Sequence, residues 1–288
     1  MTALAAGNVA VVTGAARGIG LALSDAFASR GLNLAIADVD RDAIESAREK
    51  LSAHGTDVLA TVADVSDEEA VFSFAAATFE RFGSVDVVCN NAGSANDYLP
   101  CWQIESAAWE RLISVNVRSV VHGIRAFVPH LVARKSGHVL NTSSMSGLKL
   151  GSARNADYAL SKHAVVGLTE SLSEDLAMHS PGVKATVLCP GFIRTPLSAR
   201  QADKLSRVLS SEGSSTPRWG TPIEPSVVAE SAVRAIEADL LYAVPAERSL
   251  EMIQHRFERL LSDLEEQSSW LSEAAEAVPR SSVREAQG

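Results

Sequence analysis

What most constrains this chain is its rhythm: short apolar runs alternate with longer stretches of helical periodicity from Val9 to Val244. Val9–Thr13 reads as a strand, and 18–30 as a helix with Ile19, Leu21, Ala22, Leu23, Ala26 and Phe27 at its apolar positions. Further strands are expected at 33–37, 57–65, 85–93, 138–144, 183–191 and 240–244. Helices are expected at 40–54 and 67–82, with long helical stretches before the later strands. Buried strands alternating with helices require cover on both faces of the sheet. The expected class is therefore α/β: a doubly wound, mostly parallel seven-stranded sheet with helices on both faces.

The 288 residues and 46% hydrophobic content suffice for one large domain with a sizeable core. Residues 1–245 read as that domain. Residues 246–271 read as a C-terminal helix, with Leu250, Ile253, Phe257, Leu260 and Leu264 at helical spacing, and 272–288 as a mobile tail poor in apolar residues. The polar segment 197–221 breaks the rhythm and is expected to form a loop or short helices over the strand ends. A net charge of −9 argues against a nucleic-acid partner. Three cysteines, Cys89, Cys101 and Cys189, lack paired spacing, and the seven histidines are scattered, so no metal is expected. Folded-domain grammar begins within ten residues of Met1, and no apolar run reaches the roughly 18 residues of a bilayer span. A cytoplasmic protein without a membrane partner is the expectation.

The first strand runs into TGAARGIG, Thr13 to Gly20, which opens the first helix. Gly14 permits a tight turn, while Gly18 and Gly20, beside Arg17 and Ile19, let a pyrophosphate approach the backbone and the helix N-terminus. Glycines after a strand are often only turn formers, so a second signal is needed. Asp38 supplies it, ending the second strand 24 residues after Gly14. A carboxylate there binds the hydroxyls of an adenosine ribose and repels the 2′-phosphate of NADP, which favours NAD. Arg17 and Arg41 stand against this, since either could hold a phosphate. The bland alternative for Asp38 is a turn acid.

Further along, Tyr158 and Lys162 in YALSK lie four residues apart and so share a helical face. Taken together, the motifs resemble the short-chain dehydrogenase/reductase family. TGAARGIG is similar to its glycine motif, and Asp64–Val65 to its adenine-contacting position. NNAG, with Asn91, Ala92 and Gly93, is similar to its fourth-strand signature. Asn116 in ISVNV matches the helix asparagine, NTSS supplies Ser144, and PGFIRT, with Pro190, Gly191, Ile193 and Thr195, resembles the P-G-x-x-x-T motif. The motifs keep the family's order over 9–195. Ser144 lies fourteen residues before Tyr158, where many members have thirteen. Alignment from Gly147 favours Ser144, with Ser143 the alternative.

The resemblance implies a single Rossmann-like domain that binds NAD(P) and interconverts a secondary alcohol and a ketone. It implies Tyr158 as general base in oxidation and general acid in reduction, and Ser144 as hydrogen-bond donor to the substrate oxygen. Lys162 would hold the nicotinamide ribose, Asn116 would anchor a water leading to solvent, and Pro190 to Thr195 would cradle the nicotinamide amide. A free phenol, with a pKa of about 10, is a poor base near neutrality. Positive charge lowers it, and Lys162 and an oxidised nicotinamide are the expected sources.

Specificity is expected from the segment after NNAG, the loop before Tyr158 and a substrate lid at 197–221. Tyr98, Leu99, Trp102, Met145, Leu148, Leu197 and Trp219 give these an apolar character suited to a bulky hydrophobic substrate. The family precedent implies a homodimer or homotetramer. Competing readings are a non-catalytic dinucleotide-binding module, an NADP-dependent carbonyl reductase and a sugar-nucleotide epimerase.

Overall fold

Residues 3–211 and 221–277 are described by a computed structural model. Among them, seven strands form one sheet: β1 (Val9–Thr13), β2 (Asn33–Asp38), β3 (Val58–Val62), β4 (Val87–Asn90), β5 (Gly137–Thr142), β6 (Val183–Leu188) and β7 (Tyr242–Ala243). Their order is β3-β2-β1-β4-β5-β6-β7, and every neighbouring pair is parallel. The helices are α1 (Gly18–Ala28), α2 (Arg41–Ser52), α3 (Glu68–Phe82), α4 (Ser106–Ile113), α5 (Ser119–Arg134), α6 (Ala156–His179), α7 (Pro196–Ser211), α8 (Pro225–Glu237) and α9 (Ser249–Ala277).

Successive side chains of a strand point to opposite faces, and β1 shows what that does here. Ala10 and Val12 pack with Leu23 and Phe27 of α1 and with Val228, Val233 and Ile236 of α8. Val9 and Val11 pack on the other face with Phe74 of α3, Phe127 and Leu131 of α5, and Leu172 and Leu176 of α6. Phe74 meets Phe127 edge to face, ring centroids 6.0 Å apart. Each of these fully buried aromatic or leucine side chains contributes roughly 1.5–3 kcal/mol. Two cores, one per face, hold the central strands rigid. The chain runs outward through β1, β2 and β3, then returns to place β4 beside β1. The loops leaving β1 and β4 therefore diverge, and the crevice between them is where open α/β sheets bind ligands.

Three expectations are corrected. Of segment 197–221, residues 197–211 lie in one helix and 212–220 are outside the described residues: α7 is 16 residues long, with Pro196 first and the Thr195 hydroxyl accepting from the Ser198 amide at 3.1 Å. That is an N-cap followed by a proline at the first helical position. Trp219 lies outside the described residues. β7 has two residues instead of five, because Pro245 follows it closely and lacks a ladder donor. Residues 250–288 form a unit distinct from Met1–Ser249. Its helix α9 continues to Ala277, so 272–277 are helical, and the rest of the expected tail lies outside the described residues.

Candidate active site

Gly14 turns the chain out of β1 with φ 64°, and a Cβ there would lie 2.8 Å from the Ala92 Cα. A Cβ on Gly20 would lie 2.1 Å from the Gly14 carbonyl oxygen. Only glycine at both positions lets the two loops pass this close. Thr13 fastens them: its hydroxyl accepts from the amides of Asn91 and Ala92 at 3.0 and 3.2 Å. Asn91 Nδ2 returns a bond to the Thr13 carbonyl at 3.0 Å. Helix α1 starts without a side-chain cap, which leaves its first amides for an anion.

Above this cradle lies a cavity of about 550 Å³. Its wall contains Gly14, Arg17, Gly18, Ile19, Gly20, Asp38, Asp64, Val65 and Asn91 to Gly93, and also Tyr158, Lys162, Pro190, Gly191, Ile193 and Thr195. Thus every residue assigned to a cofactor from the sequence faces one space. Asp38 is fixed in orientation: Oδ2 accepts from the Ala16 amide and Oδ1 from the Asp40 amide, each at 3.1 Å. The glycine cradle, the uncapped helix and the oriented carboxylate fit a dinucleotide.

The opposite end of the wall is built by the end of β5 and the first turns of α6. Ser144 and Tyr158 both line the cavity, and the Ser144 hydroxyl accepts from the Ser146 amide at 3.1 Å. Ser143 is occupied elsewhere, donating to the Lys162 carbonyl at 2.7 Å. Lys162 is 4% exposed, and its Nζ donates to the Thr142 carbonyl at 3.0 Å. It lies 5.7 Å from the Tyr158 ring centroid.

Burial lowers the Lys162 pKa to about 8. Burial also raises that of Tyr158, the nearby Ser144 hydroxyl working against this and Tyr98 adding to it. The expected depression draws on Lys162 and an oxidised nicotinamide together; among the protein groups alone, burial sets the direction. Removing the phenolate from water costs more than its neighbours return, and the ammonium is directed at a carbonyl.

Asn116 stands behind the wall, in a π-helical segment, Ser114–Arg118, between α4 and α5. Its Oδ1 accepts from the Ser94 amide at 2.7 Å, and Nδ2 donates to the Ser94 carbonyl and to Ser161 Oγ, both at 3.0 Å. The side chain thus ties the segment after β4 to α6. A Cβ on the intervening Gly93 would lie 3.5 Å from Lys162 Nζ and 3.6 Å from Asn116 Oδ1.

Two residues of the site were missed in the sequence. Thr13 looks like the last residue of a strand, and nothing local marks its hydroxyl as a clasp. Asp157, 2% exposed, accepts from the Tyr158 amide and from Asn96 Nδ2, both at 2.8 Å. An acid in the first turn of a helix was its available signal. Of the expected specificity residues, Leu197 lines the cavity, Met145 is buried, and Leu148 packs beside Val166, Val187 and Cys189. Trp102 is 81% exposed. Among the described residues no cluster of histidine, cysteine and carboxylate side chains could hold a metal ion.

A parallel doubly wound sheet, a dinucleotide cradle at its reversal point and a serine–tyrosine–lysine set across the same cavity define a class of nicotinamide-dependent oxidoreductases. Residues 8–206 match the family model described as short chain dehydrogenase, and the chain belongs to that family. A 1-deoxy-11-beta-hydroxypentalenate dehydrogenase from Streptomyces exfoliatus is 44% identical over 192 residues, which is 66% of this chain and 69% of the relative. A 3beta-hydroxysteroid dehydrogenase 2 from Eggerthella lenta is 33% identical over 228 residues, covering 78% and 86%. A short-chain dehydrogenase/reductase from Burkholderia phymatum, solved in complex with NAD, superimposes with a TM-score of 0.81 at 31% identity, over 90% of this chain and 95% of that one. A metagenomic short-chain oxidoreductase solved with NADP gives 0.69 at 29% identity, over 84% and 98%. The protein is an NAD(P)-dependent oxidoreductase that interconverts alcohols and ketones.

Proposed function

We propose that the protein uses NAD, not NADP, to interconvert a bulky, mostly hydrophobic secondary alcohol and its ketone, with Tyr158 moving the proton. The observation that carries this reading is that Ser144, Tyr158 and, one helical turn later, Lys162 line the same cavity as the fixed carboxylate of Asp38. When bound, the cofactor accepts or supplies hydride and brings a positive pyridine ring beside the phenol. The protein does the rest. Tyr158 holds a proton at its phenol oxygen and exchanges it with the substrate oxygen. Ser144 Oγ donates to that oxygen as negative charge develops there. Lys162, buried and directed by the Thr142 carbonyl, keeps a cation beneath the tyrosine and a donor for the ribose. Asn116 braces Ser94 against α6, and the remaining lone pair of its Oδ1 is left for the water that the resemblance assigns.

Asp38 supports NAD because its two backbone bonds hold a full negative charge where a 2′-phosphate would have to come. A hydroxysteroid and a hydroxypentalenate, named as substrates of the two relatives, support the substrate class. Among the described residues no helix is long and apolar enough to cross a membrane, and we place the protein in the cytoplasm. Exposed Leu160 and Met178 on α6 support a homo-oligomer, to be checked by mass in solution. A panel of hydroxysteroids and terpenoid alcohols, incubated with NAD and separately with NADP, tests the assignment. NADH formation from at least one bulky alcohol is expected. Turnover only with small alcohols, or only with NADP, overturns it.

A further inference from the structure

The β2 end of the cavity carries two carboxylates, Asp38 and Asp40, and they are used differently. Asp38 is held by backbone amides. Asp40 divides its oxygens: Oδ1 accepts from the Ala43 amide at 3.1 Å and caps α2, while Oδ2 takes the Nη2 of Arg17 in an ion pair. Arg17 stands in the glycine loop immediately before Gly18, and both it and Asp40 line the cavity. Its side chain is 46% exposed, so the ion pair, more than packing, sets where the guanidinium points. The Ala43 amide and Arg17 hold the Asp40 carboxyl below its ordinary range, which keeps the pair charged at neutral pH. Arg41, the other arginine near β2, sits exposed at the first position of α2, outside the wall.

A guanidinium near the ribose-binding acid is the group that accommodates a 2′-phosphate in folds of this kind. We propose that Asp40 is a second determinant of cofactor choice: by engaging Arg17, it denies a 2′-phosphate the guanidinium that would otherwise receive it. Asp38 repels the phosphate, and Asp40 withholds the compensating cation. This rests on the NAD reading above and extends it from one acid to a pair with separate roles. Asp40 is a positioning residue that acts through Arg17.

The test separates the charge of Asp40 from its capping role. Asparagine and serine cap helices about as well as aspartate, so Asp40→Asn and Asp40→Ser keep the start of α2 while releasing Arg17. Dissociation constants for NAD and NADP are measured by calorimetry on the wild type, both single variants and the Arg17→Ala/Asp40→Asn double variant. An exposed ion pair is a weak competitor, so the expected change is modest: the NADP-to-NAD affinity ratio rises about two- to five-fold in both single variants. It returns to near the wild-type ratio in the double variant, and the rise shrinks in high salt. An unchanged ratio in both single variants overturns the proposal. So does a rise that survives loss of Arg17, which would assign the effect to the Asp40 charge alone. A wild type that binds NADP more tightly than NAD overturns the parent reading instead, and is seen before any variant is made.

Discussion

Lys162 is buried at a cost, and Lys162→Met should expose that cost as a gain in stability. Its ammonium titrates at 10.5 in an open chain and at about 8 in the fold. The folded state therefore binds this proton less tightly than the unfolded state, which costs about 3 kcal/mol at pH 7. The sign follows directly. The penalty is complete below the folded pKa and is relieved as pH rises from about 8 toward 10.5. Methionine matches the lysine stem in volume and removes the charge, but it leaves the Thr142 carbonyl without its donor, a loss of about 1–2 kcal/mol.

The net gain at pH 7 is then about 1–2 kcal/mol, or a rise in Tm of several degrees for a chain of this size. The more robust number is the pH difference, because the lost hydrogen bond cancels from it. The advantage of the variant should fall by about 2 kcal/mol between pH 7 and pH 9.5 as wild-type Lys162 discharges. Urea unfolding of both proteins at the two pH values measures it directly. The variant should be inactive at both. An advantage that does not change with pH, or a variant destabilised equally at both, would refute the claim that burial of this charge strains the fold.

His138 should show an effect of the same sign in acid. Buried and hydrogen-bonded to Thr186 Oγ1 at 2.8 Å, it has its pKa pushed down to about 4. Its contribution is present above about 6.5 and is lost as pH falls toward 4, so His138→Gln should lose about 3 kcal/mol less across that window in parallel unfolding curves. An identical acid profile would count against it. Gly20→Ala places a methyl 2.1 Å from the Gly14 carbonyl and 2.6 Å from Asn91 Nδ2, forcing the two cradle loops apart. NAD affinity measured by calorimetry should fall at least about ten-fold, and undiminished affinity would show that the loops yield without loss.

Continuous apolar runs ending in turn residues made the sheet legible. Val9–Thr13 is bounded by Gly14, and β5 and β6 also start where they were expected or one residue before. α7 does carry Leu205, Val208 and Leu209 at helical spacing, but the many serines and charged residues between them, with only Leu205 in the buried core among its described residues, obscured that pattern. Its cap, Thr195 followed by Pro196, was the available signal. The cofactor wall could be read residue by residue because its glycines and Asp38 are dictated by backbone geometry and charge. Three things depended on distances that sequence does not contain. The Thr13 clasp is made across 78 residues, and the separate tasks of Ser143 and Ser144 depend on which hydroxyl meets which partner. The proton affinity of Tyr158 depends on burial, which sets its direction among the protein groups alone.

Tyr158→Phe tests the central claim most directly, since it removes one hydroxyl and keeps the ring against Lys162. Its turnover should be measured at saturating NAD on the best alcohol found, with NAD binding measured in parallel on the same preparation. Expected is a loss of about 10²-fold or more in turnover with the cofactor still bound. Turnover within a few-fold of wild type, with NAD bound, would place the proton transfer on another group.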